Sequence, residues 1–115
     1  MDLQCSAKRV AIISVCHNSS KVVEKMLSTV PRNCEIILVD NGSSDLESLQ
    51  SLADNANAKL ISNLTNQGFG CACNQGAELT GRELLLFQNP DTLLSENAIT
   101  ELAAAADRYP TASAF

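Results

Sequence analysis

The sequence predicts an α/β domain built on a parallel sheet of about four strands with helices on both faces. Three observations carry this. Strand-like and helix-like stretches alternate along the 115 residues. The strand-like stretches are continuously apolar, as strands buried on both faces are. Each is followed by a short polar loop and then by apolar residues at helical spacing, the pattern of a doubly wound sheet.

Arg9 to Val15 (R-V-A-I-I-S-V) is apolar and β-branched, a buried first strand. Cys16 to Ser20 is a polar loop ending in N-cap residues. From Lys21 to Val30, Val22, Val23, Met26, Leu27 and Val30 follow helical spacing until Pro31 stops the helix. Glu35 to Asp40 is the second strand. Asn41-Gly42 then turns the chain, Ser43 and Ser44 offer N-caps, and Leu46, Leu49, Leu52 and Ala53 stripe a second helix. Asn55-Ala56-Asn57 breaks it, and Ala58 to Ser62 is a short third strand. After a loop over Asn63 to Gln67, a small-residue helix runs from about Gly68 to Leu79. There Gly70, Ala72 and Gly76 permit close approach to the sheet, and Gly81 marks the end. Leu84 to Phe87 is the fourth strand, broken by Asn89-Pro90-Asp91-Thr92. An alanine-rich helix from about Ser95 to Arg108 precedes Pro110.

Composition narrows the function classes. Apolar residues make up 45% and charged residues 18%, so the chain buries a core as one domain over residues 1–115. A net charge of −5 argues against a nucleic-acid polymer as partner. A small phosphorylated ligand would need a cation to help hold it. Met1 to Lys8 is polar, with no apolar run, and reads as neither signal peptide nor span. Five cysteines without C-x-x-C spacing read as buried or half-buried thiols in a reducing cytoplasm.

Polar residues follow the strands: His17 and Asn18 after the first, Asp40, Asn41 and Asp45 after the second, Asn89 and Asp91 after the fourth. In a parallel sheet these loops share one edge, where ligands of open α/β sheets bind. Asp91, held behind Pro90, is an oxygen ligand of the kind Mg²⁺ or Mn²⁺ takes beside phosphate oxygens. The Gly68-Phe69-Gly70 segment lacks a third glycine and follows the third strand, so it is not a dinucleotide fingerprint, and no P-loop motif occurs.

Four stretches together, V-A-I-I-S-V-C-H-N-S, E-I-I-L-V-D-N-G-S-S-D, N-Q-G-F-G-C-A-C-N-Q-G and E-L-L-L-F-Q-N-P-D-T, resemble family 2 glycosyltransferases. The resemblance covers nearly the whole chain, in order, and N-P-D-T is most similar to the rhamnosyltransferase-type branch. It implies the amino-terminal, Rossmann-like half of a GT-A fold with strand order 3-2-1-4. It also implies a nucleotide-sugar donor (dTDP- or UDP-sugar), a glycan or lipid-linked acceptor, and Mg²⁺ or Mn²⁺ as cofactor. Asp40 would contact the donor's base, and His17, where the family usually has a tyrosine, would pack near it. Asn66, Gly68 and Asn74 would line the donor pocket, with Asn18, Asn41 and Ser43 completing the binding set. Asn89 and Asp91 take the place of the family's D-x-D, with Asp91 as the metal ligand.

Family members continue with further strands and a carboxylate base. Nothing after Asp91 resembles that base, so the expectation is a donor-binding half without transfer activity alone, cytoplasmic or at the inner face of the membrane. Leu84 to Phe87 would then form an open edge through which copies associate. Two other readings stay open: a non-catalytic nucleotide-binding or assembly module, and, further off, a receiver-type signalling domain, which lacks here its paired acids after strand one.

Overall fold

The computed structural model describes residues 2–115. Nine elements follow in order: α1 (Leu3–Arg9), β1 (Val10–Cys16), α2 (Ser20–Ser28), β2 (Glu35–Asn41), α3 (Leu46–Asn55), β3 (Lys59–Asn63), α4 (Phe69–Glu78), β4 (Leu84–Phe87) and α5 (Ala98–Arg108). The four strands form one parallel sheet in the order β3-β2-β1-β4. This is the predicted order, and it differs from the 2-1-3-4-5 order of flavodoxin-like receivers.

Side-chain parity divides the core. Ile36 and Leu38 of β2 pack with Val23 and Met26 of α2 and with Leu49 and Ala53 of α3. Val10 and Ile12 of β1 meet Ile99 of α5 on that same face, with Leu84 and Leu86 of β4 beside them. The opposite face buries Ile13, Ile37 and Val39 under Ala72 of α4. Helices therefore cover both faces, three on one and α4 on the other. Gly76 sets how closely α4 lies, since a Cβ there would stand 2.5 Å from Ile13 Cγ2. Gly70, by contrast, faces open space and plays no part in that approach.

The face that α4 covers is incomplete. Leu85 and Phe87 pair in register with Ala11 and Ile13, yet remain 40% and 48% exposed, because α4 lies over β1 and β2. The β4 strand is an edge, as expected, and α5 packs on its other face through Ile99 and Ala103 without covering Leu85.

Several expectations need correction. The polar amino-terminal stretch contains a helix, α1, capped by Asp2, whose Oδ1 accepts from the Gln4 amide at 3.0 Å. It buries only Ser6 and Ala7, too few to leave an apolar period in the sequence. Arg9 at its end makes a two-pronged pair with Asp107 of α5, at 2.8 and 3.1 Å, and a further pair with Glu83. The helix α5 starts at Ala98 rather than Ser95. Gly81 is not a left-handed cap; α4 closes at Leu79 in right-handed backbone. Cys5 and Cys71 are exposed, whereas Cys16 is buried and Cys34 and Cys73 are half-buried; all five are free thiols.

Candidate functional site

Strands β1 and β2 deliver their last residues side by side, Cys16 opposite Asp40, and β3 brings Asn63 opposite Asn41. Parity sends Asp40 to the α2–α3 face and Asn41 to the α4 face. The Asp40 carboxylate is 1% exposed. Its Oδ2 accepts from the Ser43 amide at 3.3 Å, while Oδ1 meets no donor among the described residues. Six buried side-chain oxygens are unpartnered in this way, and four of them, on Ser14, Asp40, Asp45 and Gln88, belong to the carboxyl-edge half of the sheet. Buried acceptors are normally paired. Four such oxygens at one sheet edge leave lone pairs there for donors from outside the chain, water or ligand.

The two loops at this edge are locked together. The Asn18 amide donates to Ser43 Oγ at 2.8 Å, and Asn18 Oδ1 accepts from the Ser44 amide at 2.8 Å and from its hydroxyl at 3.0 Å. Nδ1 of His17 lies 2.9 Å from the Asn41 carbonyl. A carbonyl only accepts, so Nδ1 carries a proton; in the neutral ring Nε2 is then an acceptor. The Ser20 amide donates to Asp45 Oδ2 at 3.0 Å, so Asp45 caps α2 across the loop rather than its own helix α3. Hydrogen bonds from Ser20 hold the Asp45 carboxyl below its ordinary range. The expected caps Ser43 and Ser44 instead serve the Asn18 loop. Burial, with the Asp40 charge adding to it, pushes the neighbouring Cys16 thiol up to about 12.

On the other face, Asn41 is 3% exposed and organises the loop after β3. Its Nδ2 donates to Asn66 Oδ1 at 3.0 Å and to the Gly68 carbonyl at 3.2 Å. Its Oδ1 accepts from Asn63 Nδ2 at 3.3 Å and from the Gln67 amide at 2.9 Å. Both donors and both lone pairs are used within the chain. Asn66 Oδ1 also accepts from the Gly68 amide at 2.8 Å. Gly42 admits this loop: its φ is +80°, and a Cβ there would stand 3.0 Å from the Asn66 amide nitrogen. A side chain would therefore be strained in backbone and crowded in space.

His17, Asn18, Asp40, Asn41, Ser43, Asn66 and Gly68 thus form one connected site. Asn74 stands apart, exposed on α4. Asn89 and Asp91 sit on the turn after β4, which the Thr92 amide and hydroxyl close on the Asn89 carbonyl at 3.2 and 2.7 Å. The strand order reverses between β1 and β4, which makes their carboxyl ends the switch-point crevice where such folds take ligands. Gln88, not singled out in the sequence, lies in that crevice: its amide extends the ladder to the Ile13 carbonyl at 3.0 Å. Asp91 is exposed, and no group of three His, Cys, Asp or Glu side chains able to hold a metal occurs among the described residues. One carboxylate is too thin a donor set for an ion alone; it fits an ion whose other ligands are phosphate oxygens and water.

The Glycosyl transferase family 2 model matches residues 11–115. The chain is 28% identical over 96 residues to the poly-beta-1,6-N-acetyl-D-glucosamine synthase of Staphylococcus epidermidis, a match covering 77% of this chain and 23% of that protein. Its fold matches S. aureus TarS 1-349, crystallised in complex with UDP, with a TM-score of 0.74 at 23% identity; the match covers 89% of this chain and 33% of that one. The chain thus spans about a quarter of the curated relative's length and a third of the TarS chain. No helix among the described residues is long and apolar enough to cross a membrane.

Proposed function

The chain belongs to glycosyltransferase family 2, and we propose that its carboxyl-edge loops bind the diphosphate donor of a sugar destined for a glycan or lipid-linked acceptor. The observation that carries this reading is the buried Asp40 Oδ1, which has no donor although the loops around it are cross-linked by hydrogen bonds. The imide N–H of uracil or thymine is a donor of the right kind for that oxygen. Asp40 lies below the surface at 1% exposure, so the base reaches it only as the loops over this edge yield. His17 then flanks the base. Asn41, with no unused hydrogen-bonding group, acts as a positioning residue for Asn66 and Gly68, which line the pocket.

Asp91, with Asn89 beside it, would hold Mg²⁺ or Mn²⁺ once the diphosphate is present, and the ion would neutralise the departing diphosphate. The net charge of −5 supports a role for such a cation at this edge. UDP in the TarS crystal supports a uridine donor; the N-P-D-T motif, similar to the rhamnosyltransferase-type branch, supports a dTDP-sugar. Deprotonation of the acceptor hydroxyl is assigned to no described residue: Asp107 is engaged with Arg9, Glu96 lies in the loop before α5, and Glu101 lies in the first turn of that helix. The reading places the work on the cytoplasmic side, where nucleotide sugars are made.

Calorimetric titration with UDP and dTDP, with and without Mg²⁺, tests this. Binding that needs the metal, is lost in Asp40→Asn and is weakened in Asp91→Ala is expected. Metal-independent binding, or binding indifferent to Asp91→Ala, overturns the metal role. Binding unchanged in Asp40→Asn overturns the base contact.

A further inference from the structure

The opposite, amino-terminal edge of the sheet gathers positive charge. Four of the chain's eight Lys and Arg residues, Lys8, Arg32, Lys59 and Arg82, line one cleft of about 990 Å³, and Glu35 is the single carboxylate on its walls. Topology explains the gathering. Lys8 lies at the end of α1 before β1, Arg32 and Glu35 lead into β2, Lys59 opens β3, and Arg82 precedes β4. In a parallel sheet all such entries share an edge.

The one acid is already used, because Lys59 Nζ lies 3.0 Å from Glu35 Oε2. Lys8 and Arg32 make no salt bridge among the described residues, and Arg82 acts on Glu35 only through its charge, without a direct ion pair. Arg82 is fixed in place: its Nη1 donates to the carbonyls of Ala7, Lys8 and Asn33, the last at 2.9 Å. Carbonyls satisfy its hydrogen bonds without neutralising its charge, and Nε and Nη2 carry no hydrogen bond among the described residues. Burial pushes the Cys34 thiol, on the same wall, up to about 11, so it adds no negative charge near neutrality. The floor is apolar, with Leu27, Val30, Pro31 and Ile36. The four cations share the one Glu35 carboxylate, on which Lys59 and Arg82 both act, and the excess of positive charge repels itself. An anion relieves that repulsion.

We infer that this cleft binds a phosphate-class polyanion carried on an apolar body, at a site separate from the one at the carboxyl edge. Strand β2, Glu35–Asn41, joins the two edges, and its length of about 20 Å keeps one diphosphate from occupying both. The phosphate can belong to a soluble metabolite or to a lipid headgroup; both offer the same chemistry to Arg32, Lys8 and Arg82.

The test is a titration of the full chain with sodium pyrophosphate, followed by amide NMR in EDTA so that no metal assists the carboxyl edge. Expected are shifts at Arg32 to Glu35 and Ala56 to Lys59, and an affinity that falls with added salt. The double variants Lys8→Gln/Arg32→Gln and Lys8→Glu/Arg32→Glu, both at exposed positions, should each weaken binding by about tenfold or more, with Asp40→Asn unchanged. Sedimentation with phosphatidylcholine vesicles, with and without phosphatidylglycerol, separates the sources. Vesicle binding lost in the double variants assigns a lipid headgroup, and pyrophosphate binding without it assigns a soluble ligand. Neither kind of binding, or shifts confined to residues 16–20 and 40–45, or wild-type affinity in both double variants, overturns the site. Because no metal and no nucleoside are used, failure here leaves the donor reading standing.

Discussion

Replacing Asn41 by alanine removes the group that ties β2 to the loop after β3. Four hydrogen bonds go with it, to Asn66, Gly68, Asn63 and Gln67. At about 0.5–1.5 kcal/mol each they total roughly 2–6 kcal/mol. The partners on Asn66, Gln67 and Gly68 are exposed residues that water can re-solvate, so the loss belongs at the low end, about 2–3 kcal/mol. With a urea dependence of about 1–1.5 kcal/mol per molar for a domain this small, the unfolding midpoint should fall by about 2 M. Asn41→Asp discriminates between lost volume and lost bonding. It keeps the shape and the two accepted bonds, but turns carboxylate oxygen toward Asn66 Oδ1 and the Gly68 carbonyl, and should destabilise at least as much as alanine. Hydrogen exchange should accelerate at the Gln67 amide in the alanine variant, which loses its acceptor, and at the Gly68 amide in both, as Asn66 loses its anchor. A midpoint shift below about 0.5 M, or an aspartate variant as stable as wild type, would refute the assignment of Asn41 as the organiser of this loop.

Gly76→Ala should destabilise by about 0.5–2 kcal/mol, because overpacking against the stiff Ile13 side chain outweighs a helix-propensity gain of about 1 kcal/mol; a thermal scan that shows stabilisation contradicts the packing of α4. The Asp45 carboxyl is held down by its bonds from Ser20. Its folded value therefore lies below its unfolded one, and the stability it contributes is present above about pH 4 and lost as pH falls through the folded value. Acid unfolding of Asp45→Asn should accordingly be shallower than that of wild type. Leu85 and Phe87 leave about half of their apolar surface in water beside an unpaired strand edge, worth roughly 1 kcal/mol each if covered. Light scattering should show self-association that Leu85→Lys abolishes; a strict monomer, or a dimer untouched by that variant, removes the β4 edge from the account.

The sheet was legible because burial on both faces leaves continuous apolar runs: Leu84 to Phe87 matches β4 residue for residue, β1 and β3 shift by one residue, and β2 runs one residue further, to Asn41. The strand order was legible only through motif resemblance, since apolarity carries no adjacency. Helix α1 was not, because its stability comes from a cap at Asp2 and from packing against α5 rather than from an apolar stripe. At the candidate site, residue types after the strands pointed to the carboxyl edge, where the structure does gather them, and Gly42 makes the expected turn; that the Asp40 carboxylate is itself buried was not foreseen. The division of labour was hidden. Whether Asn41 faces a ligand or its own loop, and whether Asp45 caps α3 or α2, depends on which loop lies within 3 Å, a distance that one chain's residue order does not encode. Gln88 was missed because a polar residue just past a strand gives no sign that it continues the ladder into the crevice.

Amide NMR with UDP and Mg²⁺ tests most directly whether the carboxyl edge is the donor site. Shifts should appear at His17 to Ser20, Asp40 to Ser44 and Asp91 to Thr92, with the amides of Asn33 and Asn57 at the far edge silent. A saturating UDP titration that leaves Asp40 to Ser44 unmoved, or that moves the far edge instead, would contradict it.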